Sequence, residues 1–458
     1  MELNVTNPFD ASVIARVPLA DEAAIDSTIS RAHEAFSQTR QSAPFERAKI
    51  LLAVAEAIRA RRDEFAGLIV AEAGKPITLA EAEVDRAVIT FTSAAEEARQ
   101  WDGEMLSLDG FATGKGHFGW VRRFPIGVIY GITPFNFPLN LVAHKVAPAI
   151  ATGNTIVIKP SPRTPLSALK LVEVIEKAGC PRGQVSAVVC PNELAAHPIS
   201  DSRIKHVSFT GSAAVGWKIK QQSGEKRVTL ELGGNAALIV HDDADLSSVV
   251  AAASTGAFGY AGQSCISVQR MLVHENVYEK FRESLTQYVK EKVRTGDPRD
   301  RSVMVGPLID KAAMQRVRGA IDDAVRGGAR IVFGGEMNGP CLNPTVLENV
   351  NSQMAVCATE IFAPVATLQR YRDFDQAIAM ANDSVYGLQA GVFTRDIGRA
   401  WKAFETLDVG GVMINQAPTW RVETMPYGGI KQSGLGREGV RYAMQDMTEP
   451  RTLVMRIE

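Results

Sequence analysis

Apolar residues recur three and four apart through residues 21 to 101, as in AKILLAVAEAIRARRDEFAGLIVAEAG, with Ala, Glu and Arg filling the intervening positions. That period places one apolar stripe on each segment and predicts amphipathic helices. Gly74 and Pro76 end one of them, because glycine accepts a left-handed cap and proline cannot continue the ladder. From Val121 the texture changes to short β-rich runs, GVIYGITPF, NTIVIKP, QVSAVVC, HVSFT, RVTLEL and AALIV, separated by helical segments such as PLSALKLVEVIEKAG and SAAVGWKIKQQSG. Apolar strands alternating with helices predict a parallel sheet covered on both faces. A second stretch of this kind follows Gly256, with helices near 274 to 292 and 309 to 327 and strands around ARIVFGG, ATLQRY and GLQAGVFT. The segment 110 to 125 and the tail RTLVMRIE are short, polar and β-prone, and they read as ribbon or edge strands that complete a subunit interface.

A chain of 458 residues with 46% hydrophobic content holds more apolar material than one small core needs, so two or three domains are expected. Lys and Arg total 50 against 51 for Asp and Glu, and a net charge of -1 provides no field to gather a polyanion, which argues against nucleic acid as a partner. The first residues join no basic run to an apolar one, and no later stretch is uncharged and apolar for long enough to span a bilayer; a cytoplasmic protein with no membrane partner is expected. Cys180, Cys190, Cys265, Cys341 and Cys357 are scattered without a CxxC pair, and the seven histidines are dispersed. Neither a disulfide framework nor a metal site is expected.

The pattern GxGxxG occurs at Gly434 to Gly439, but it lies too near the terminus to open a βαβ unit and is set aside as a dinucleotide fingerprint. A nucleotide is expected instead where strands give way to helices between 130 and 235. Thr210-Gly211-Ser212 follows one strand and opens a helix, so its backbone N–H groups either meet a pyrophosphate or are served by an ordinary serine N-cap. Lys159-Pro160-Ser161 sets a cation at the end of another strand, either as a ligand contact or as a solvated lysine. Cys265, in Gly262-Gln263-Ser264-Cys265-Ile266-Ser267, stands in a small polar turn at the start of an apparent helix, a setting that lowers a thiol pKa. The other four cysteines have packing contexts. Glu231-Leu232-Gly233-Gly234 puts a carboxylate at the end of an apolar strand, with glycines that permit close approach, as a general base requires.

The segments PFNFP (134 to 138), GNTIVIKPS (153 to 161), FTGS (209 to 212), ELGG (231 to 234), GQSCIS (262 to 267), EIFAPV (360 to 365) and PYGGIKQSGLGREG (426 to 439) together resemble the aldehyde dehydrogenase superfamily, in the family's order and over nearly the whole chain. The resemblance implies an α/β fold with a Rossmann-like nucleotide-binding domain (1–109 and 126–233), an α/β catalytic domain (234–432) and a small β oligomerisation element (110–125 and 433–458) that supports dimers or tetramers. It also implies that Cys265 attacks the aldehyde as a thiolate, that Asn136 and the Cys265 N–H hold the oxyanion, and that Glu231 activates the water that hydrolyses the thioester. NAD or NADP takes the hydride. By the same resemblance Thr133, Pro134, Phe135, Lys159, Ser161, Gly211, Ser212, Glu360 and Phe362 surround the cofactor. Lys145 matches a proton-relay lysine, with a solvated helix lysine as the alternative reading, and Arg270 and Arg437 match structural ion pairs.

Two departures matter. Many NAD-preferring relatives carry a glutamate three residues after the Lys159 position; Pro162 stands there, followed by Arg163, which removes repulsion against a 2'-phosphate and offers it a partner. Trp420, Arg421 and Tyr427 line the implied substrate tunnel, and Arg421 is positioned to bind an anion. The overall look is that of the branch acting on lactaldehyde, glyceraldehyde 3-phosphate, phosphonoacetaldehyde or succinic semialdehyde, although Ser264 replaces the arginine that several phosphate- or phosphonate-binding relatives have before the nucleophile. The expected function is therefore oxidation of a small oxygenated or anionic aldehyde to its acid. The alternatives are a CoA-acylating semialdehyde dehydrogenase, which commonly lacks the Glu231 carboxylate, and a non-catalytic structural relative.

Overall fold

The structure, a computed structural model, describes residues 1–101 and 103–457. Three sheets organise it. The first has six strands in the order Gly434–Leu435, Arg227–Glu231, Ile204–Thr210, Val128–Ile132, Thr155–Lys159 and Val185–Ala187. All pair in parallel except the short Gly434–Leu435 edge. The second has seven, in the order Arg330–Phe333, Thr345–Glu348, Val365–Tyr371, Val268–His274, Ala236–Val240, Gln389–Phe393 and Gly411–Ile414, and only Arg330–Phe333 runs antiparallel. Every residue of Val128–Ile132, Thr155–Lys159 and Ala236–Val240 is buried, as strands covered on both faces require.

In the first sheet the chain runs outward from Val128–Ile132 through Thr155–Lys159 to Val185–Ala187, then resumes on the other side at Ile204–Thr210. That reversal opens a crevice at the carboxyl ends of the strands, the place where open α/β sheets hold ligands. Thr133, Lys159 and Thr210 all stand there. Helices Pro44–Ala60, Arg62–Ala73, Ile77–Arg99 and Asn140–Thr152 pack into one apolar core on this sheet. Gly74, at φ 63°, closes Arg62–Ala73 in the left-handed conformation that the sequence predicts for it.

The third sheet is antiparallel: Glu104–Leu106, His117–Pro125 and Thr448–Arg456, the last two paired over nine residues from Thr448↔Pro125 to Arg456↔His117. The structure divides the stretch 433 to 458, which the sequence reading assigns whole to this ribbon. Gly434–Leu435 joins the first sheet, and helix Val440–Asp446 packs on the first core through Val440, Ala443 and Met444; only Thr448–Arg456 enters the ribbon. The physical reason is the apolar face of that helix, which the tail's local polarity conceals. Among the described residues no helix is long and apolar enough to cross a membrane.

Candidate active site

The turn that carries Cys265 is built from strained backbone. After helix Leu246–Phe258, Tyr260 and Ala261 both lie at φ 53°, in the left-handed region that costs a side-chain-bearing residue of the order of 1 kcal/mol or more each. Anchors on every side fix them: Tyr260 Oη donates to Ala73 O (3.3 Å), Gln263 Nε2 donates to Pro307 O (3.2 Å) and Ile309 N–H donates to Gln263 Oε1 (2.9 Å). Gly262 follows at φ 64°, where a Cβ would stand 2.1 Å from Ala363 O, so only glycine fits. Cys265 then sits in a turn that leads into strand Val268–His274. This corrects the expected helix start: the residues after the turn continue as VQRMLVH, a fully buried strand, so no helix begins at Cys265.

The electrostatics correct the second half of that expectation as well. Burial pushes the Cys265 thiol up to about 12; a hydrogen bond with Tyr427 Oη (2.8 Å from Sγ) opposes the rise, Glu360 and Glu231 add to it, and Arg421 subtracts. Burial thus favours the thiol form of Cys265. Asn136 donates from Nδ2 to Gln263 O (3.0 Å), which holds its amide beside the Cys265 turn while its Oδ1 stays buried with no partner among the described residues.

Glu231 ends strand Arg227–Glu231, and both of its carboxylate oxygens are buried without a hydrogen-bond partner. An orphan of this kind calls for an explanation beyond stability. Burial, then the nearby Glu438 carboxylate, raise its pKa well above the usual range; Arg421, Lys145 and Arg437 pull the other way. Glu438 shows the opposite result. Burial raises it, but Lys145 Nζ (2.8 Å) and His144 Nδ1 (3.2 Å) outweigh burial and hold it well below the ordinary carboxylate range. Two facing carboxyls driven apart in this way are a pattern of acid–base sites.

Lys145 is no solvated lysine: its side chain is 1% exposed and also donates to Ser208 Oγ (2.9 Å). Helix Asn140–Thr152 carries it, and Glu83 caps that helix by accepting from the N–H groups of Leu139 and Asn140 (3.0 and 3.1 Å). Glu83 in turn pairs with the buried Lys75, whose ammonium lies 3.5 Å from the Phe137 ring centroid. Glu438 escapes sequence reasoning although it lies inside the discarded GxGxxG. Those glycines serve the site: Gly434 pairs with Glu231, and at Gly439, φ 97°, a Cβ would meet Met425 O at 2.3 Å. The motif brings the Glu438 carboxylate close to Glu231.

On the substrate side, the Arg421 guanidinium stacks 3.8 Å from the Tyr427 ring centroid, and its Nε is buried without a partner. Glu423 lies 4.0 Å from Arg421, accepts from Arg86 Nε (2.6 Å) and bonds His144 Nε2. Burial raises Glu423, and the charges of His144, Arg86 and Arg421 overcome that effect and hold it low. Arg86, His144 and Glu423 join the pocket only through the fold, since Arg86 and Glu423 are 337 residues apart. Trp420 is half exposed at the rim.

At the crevice of the first sheet, Thr133 donates its N–H to Lys159 O (3.1 Å) and keeps a buried, unpartnered Oγ1. Pro134 leads to Phe135, whose ring meets Phe362 edge-on at 5.8 Å; Phe362 itself is held at φ 54°. Lys159 is buried, donates to Asn192 Oδ1 (2.9 Å), and is lowered by desolvation. Gly211 donates to Glu231 O (3.0 Å), and Ser212 precedes helix Ala213–Gln222 without a side-chain cap, which leaves first-turn N–H groups available. Ser161 Oγ accepts from Arg163 N–H (3.2 Å), and Arg163 pairs with Asp310 (2.9 Å) rather than standing free. Glu360, pushed up to about 7 by burial, accepts from Gly234 N–H (3.1 Å), and a Cβ on Gly233 would strike its carboxylate at 2.3 Å. Arg270 and Arg437 depart from the expected ion pairs: they donate to the carbonyls of Asn235, Met380 and Ala381 and of Gly429 and Gly436, Arg270 also to Asn235 Oδ1, and neither makes an ion pair among the described residues.

Comparison with known proteins places this geometry among enzymes. A family model described as the aldehyde dehydrogenase family matches residues 1–453. A 3-sulfolactaldehyde dehydrogenase of Priestia aryabhattai is 39% identical over 457 residues, covering 100% of this chain and 95% of its own. A crystal structure of aldehyde dehydrogenase 21 from Physcomitrella patens, in complex with the reaction product succinate, superposes with a TM-score of 0.98 at 42% identity, over 100% of this chain and 95% of that one. The glyceraldehyde-3-phosphate dehydrogenase GapN of Methanocaldococcus jannaschii, complexed with NADP, gives 0.95 at 37% identity and covers 99% of both chains.

Proposed function

The chain belongs to the aldehyde dehydrogenase family, and from that premise we propose that it oxidises a small anionic aldehyde to its carboxylic acid through a covalent intermediate on Cys265. The observation that carries the substrate class is the buried, unpartnered Arg421 Nε–H beside Tyr427, which itself touches the nucleophile. A buried cationic donor without an acceptor is costly unless a ligand supplies one, and an acidic substrate group does so. The sulfolactaldehyde enzyme and the succinate-bound structure support the same class.

In this reading Cys265 Sγ bonds to the aldehyde carbon as its proton leaves, with Glu231 as the buried base that takes it. The developing oxyanion is held by Asn136 Nδ2 and the Cys265 N–H. The residues of the first crevice fit a nicotinamide dinucleotide. Thr133 Oγ1 is orphaned, Lys159 supplies a cation, Gly211 leads to Ser212, where the uncapped first turn of helix Ala213–Gln222 offers N–H groups, and Glu360 with Phe362 line the approach to Cys265. When bound, NAD(P)+ accepts the hydride. Lys159, Ser161 and Arg163 would hold its adenosine end, and the Arg163–Asp310 pair must open before Arg163 can meet a 2'-phosphate. Glu231 first releases that proton to solvent, with Glu438 and Lys145 setting its basicity, and as the carboxylate it then activates water against the thioester. The presence of Glu231 supports water, not CoA, as the acyl acceptor. The exposed Met105, Trp120, Leu453, Val454 and Met455 on the ribbon support self-association as a dimer or tetramer.

The test pairs wild type with Cys265→Ser against lactaldehyde, sulfolactaldehyde, succinic semialdehyde and neutral aldehydes with NAD+ and NADP+. Growth of absorbance at 340 nm and an acyl adduct on Cys265 in intact-mass spectra are expected for wild type alone. Turnover that survives Cys265→Ser refutes the covalent route, and equal efficiency with neutral and anionic aldehydes refutes the substrate class.

A further inference from the structure

The second sheet repeats the topology that makes the first a ligand site. Its chain begins at Ala236–Val240, passes to Val268–His274 and outward, and then returns on the opposite side of Ala236–Val240 at Gln389–Phe393. The strand order therefore reverses beside Ala236–Val240, and the crevice at the carboxyl ends there is where open α/β sheets place ligands. The proposed chemistry leaves that end vacant of function. Gly234 and Cys265 precede the amino ends of these two strands, and Val268–His274, at about 3.3 Å per residue, carries the chain roughly 20 Å away from the nucleophile.

We propose that His241, Asp242 and His274, which meet at this crevice, bind a borderline transition-metal dication of the Zn2+, Co2+, Ni2+ and Cu2+ class. His241 and Asp242 directly follow one strand, and His274 ends its parallel neighbour, with Val240 in register against Val273, so the two imidazoles stand side by side. One potential ligand atom from each of the three residues lies within 4.8 Å of the others. His241 Nε2 is 3.4 Å from Asp242 Oδ1, and His274 Nδ1 is 3.9 Å from Asp242 Oδ2. A tetrahedral ion with bonds near 2.1 Å sets its ligands about 3.4 Å apart, so a small inward motion of the exposed Asp242 closes the set.

The hydrogen-bond network prepares His241 for this role. Tyr371 Oη donates to the carbonyl of Val240 (3.0 Å), which leaves it an acceptor toward His241 Nδ1 (2.9 Å). Nδ1 therefore carries the proton, and the Nε2 lone pair faces Asp242. A ligating histidine whose other nitrogen donates to a fixed partner is the usual arrangement around a bound metal. Both rings are buried and the carboxylate is exposed, so water can complete the coordination from solvent.

Competing groups limit the affinity. Asn276 donates its N–H to His274 Nδ1 (3.2 Å) and its amide to Asp242 Oδ2 (3.2 Å), and Arg399, paired with Asp243 (3.2 Å), adds a cation nearby. A dissociation constant on the order of micromolar is expected. The 32 residues between His241 and His274 hide the cluster from sequence spacing, which is why dispersed histidines predict no metal ligands.

The test uses full-length Cys265→Ser protein, so that the active-site thiol cannot capture the ion. Titration with Co2+, followed by its visible bands, and with Cu2+, followed by nitrogen hyperfine structure in electron paramagnetic resonance, should show one ion per chain with two nitrogen ligands. Asp242→Asn, a surface change, should weaken binding tenfold or more, and His274→Gln should remove one nitrogen from the Cu2+ spectrum. Absence of stoichiometric binding below roughly 100 µM, or binding that Asp242→Asn leaves unchanged, overturns the proposal. Should His274→Gln fail to fold, Asp242→Asn decides alone.

Discussion

Replacing Arg421 by methionine keeps an unbranched stem over the Tyr427 ring and removes the charge and the free Nε–H. A charge-assisted hydrogen bond to a substrate anion contributes about 1.5 to 3 kcal/mol, which corresponds to a loss of about 10- to 150-fold in kcat/KM. Arg86 remains nearby and keeps part of the attraction, which favours the lower half of that range. The variant also disturbs the chemistry for every substrate, because Arg421 lowers the pKa of both Cys265 and Glu231. That common effect cancels when the same variant is assayed on an anionic aldehyde and on a neutral aldehyde of similar size. The ratio of the two losses isolates the contact with the substrate charge, as a double-mutant cycle isolates a pair. Steady-state kcat/KM for sulfolactaldehyde and lactaldehyde, in wild type and Arg421→Met, supplies the four values. A sulfolactaldehyde loss at least 10-fold greater than the lactaldehyde loss is expected; equal losses refute the assignment of Arg421 to an anion.

Two further variants test the surrounding network. Glu438→Gln removes the carboxylate that raises Glu231 and leaves Lys145 to lower it, so the basic form of Glu231 persists to lower pH. The ascending limb of the deacylation rate against pH should move to the acid side, and a shift toward alkali refutes the relation. Lys75→Met should cost about 3 to 5 kcal/mol by leaving Glu83 a buried carboxylate without its cation, and calorimetry should show the double variant Lys75→Met/Glu83→Gln recovering part of that loss; no recovery refutes the coupling.

Residue pattern alone exposes what lies on contiguous chain. The buried strands of both sheets and the crevice residues Thr133, Lys159 and Gly211 follow from apolar runs that end in short loops, and these are local signals. Arg86, His144, Glu423 and Glu438 are drawn from a helix, another helix and two loops, and no local signal distinguishes them from ordinary surface charge. The helix expected at Cys265 fails for a related reason. GQSCIS is too short for periodicity to speak, and the pairing of Val268–His274 with strands on both sides decides its conformation. Glu438 is the instructive case, because the glycines that frame it mimic a phosphate loop while their actual task is to bring one carboxylate beneath another.

The raised pKa values at Cys265 and Glu231 fit an anionic substrate better than a resting thiolate would. An ionised sulfur beside an ionised Glu231 would add two negative charges to a cleft meant to receive a third, at an effective cost of about 4 kcal/mol for each like pair near 4 Å. Burial keeps the sulfur as a thiol and brings Glu231 closer to neutrality, while Arg86, Arg421 and Lys145 set three cations against the two depressed carboxylates Glu423 and Glu438. Within that set of five side chains the cations outnumber the carboxylates. In the proposed chemistry, ionisation of Cys265 is deferred until the aldehyde carbon is at hand to accept the electron pair, and the charge then passes to an oxyanion that the Asn136 amide would hold.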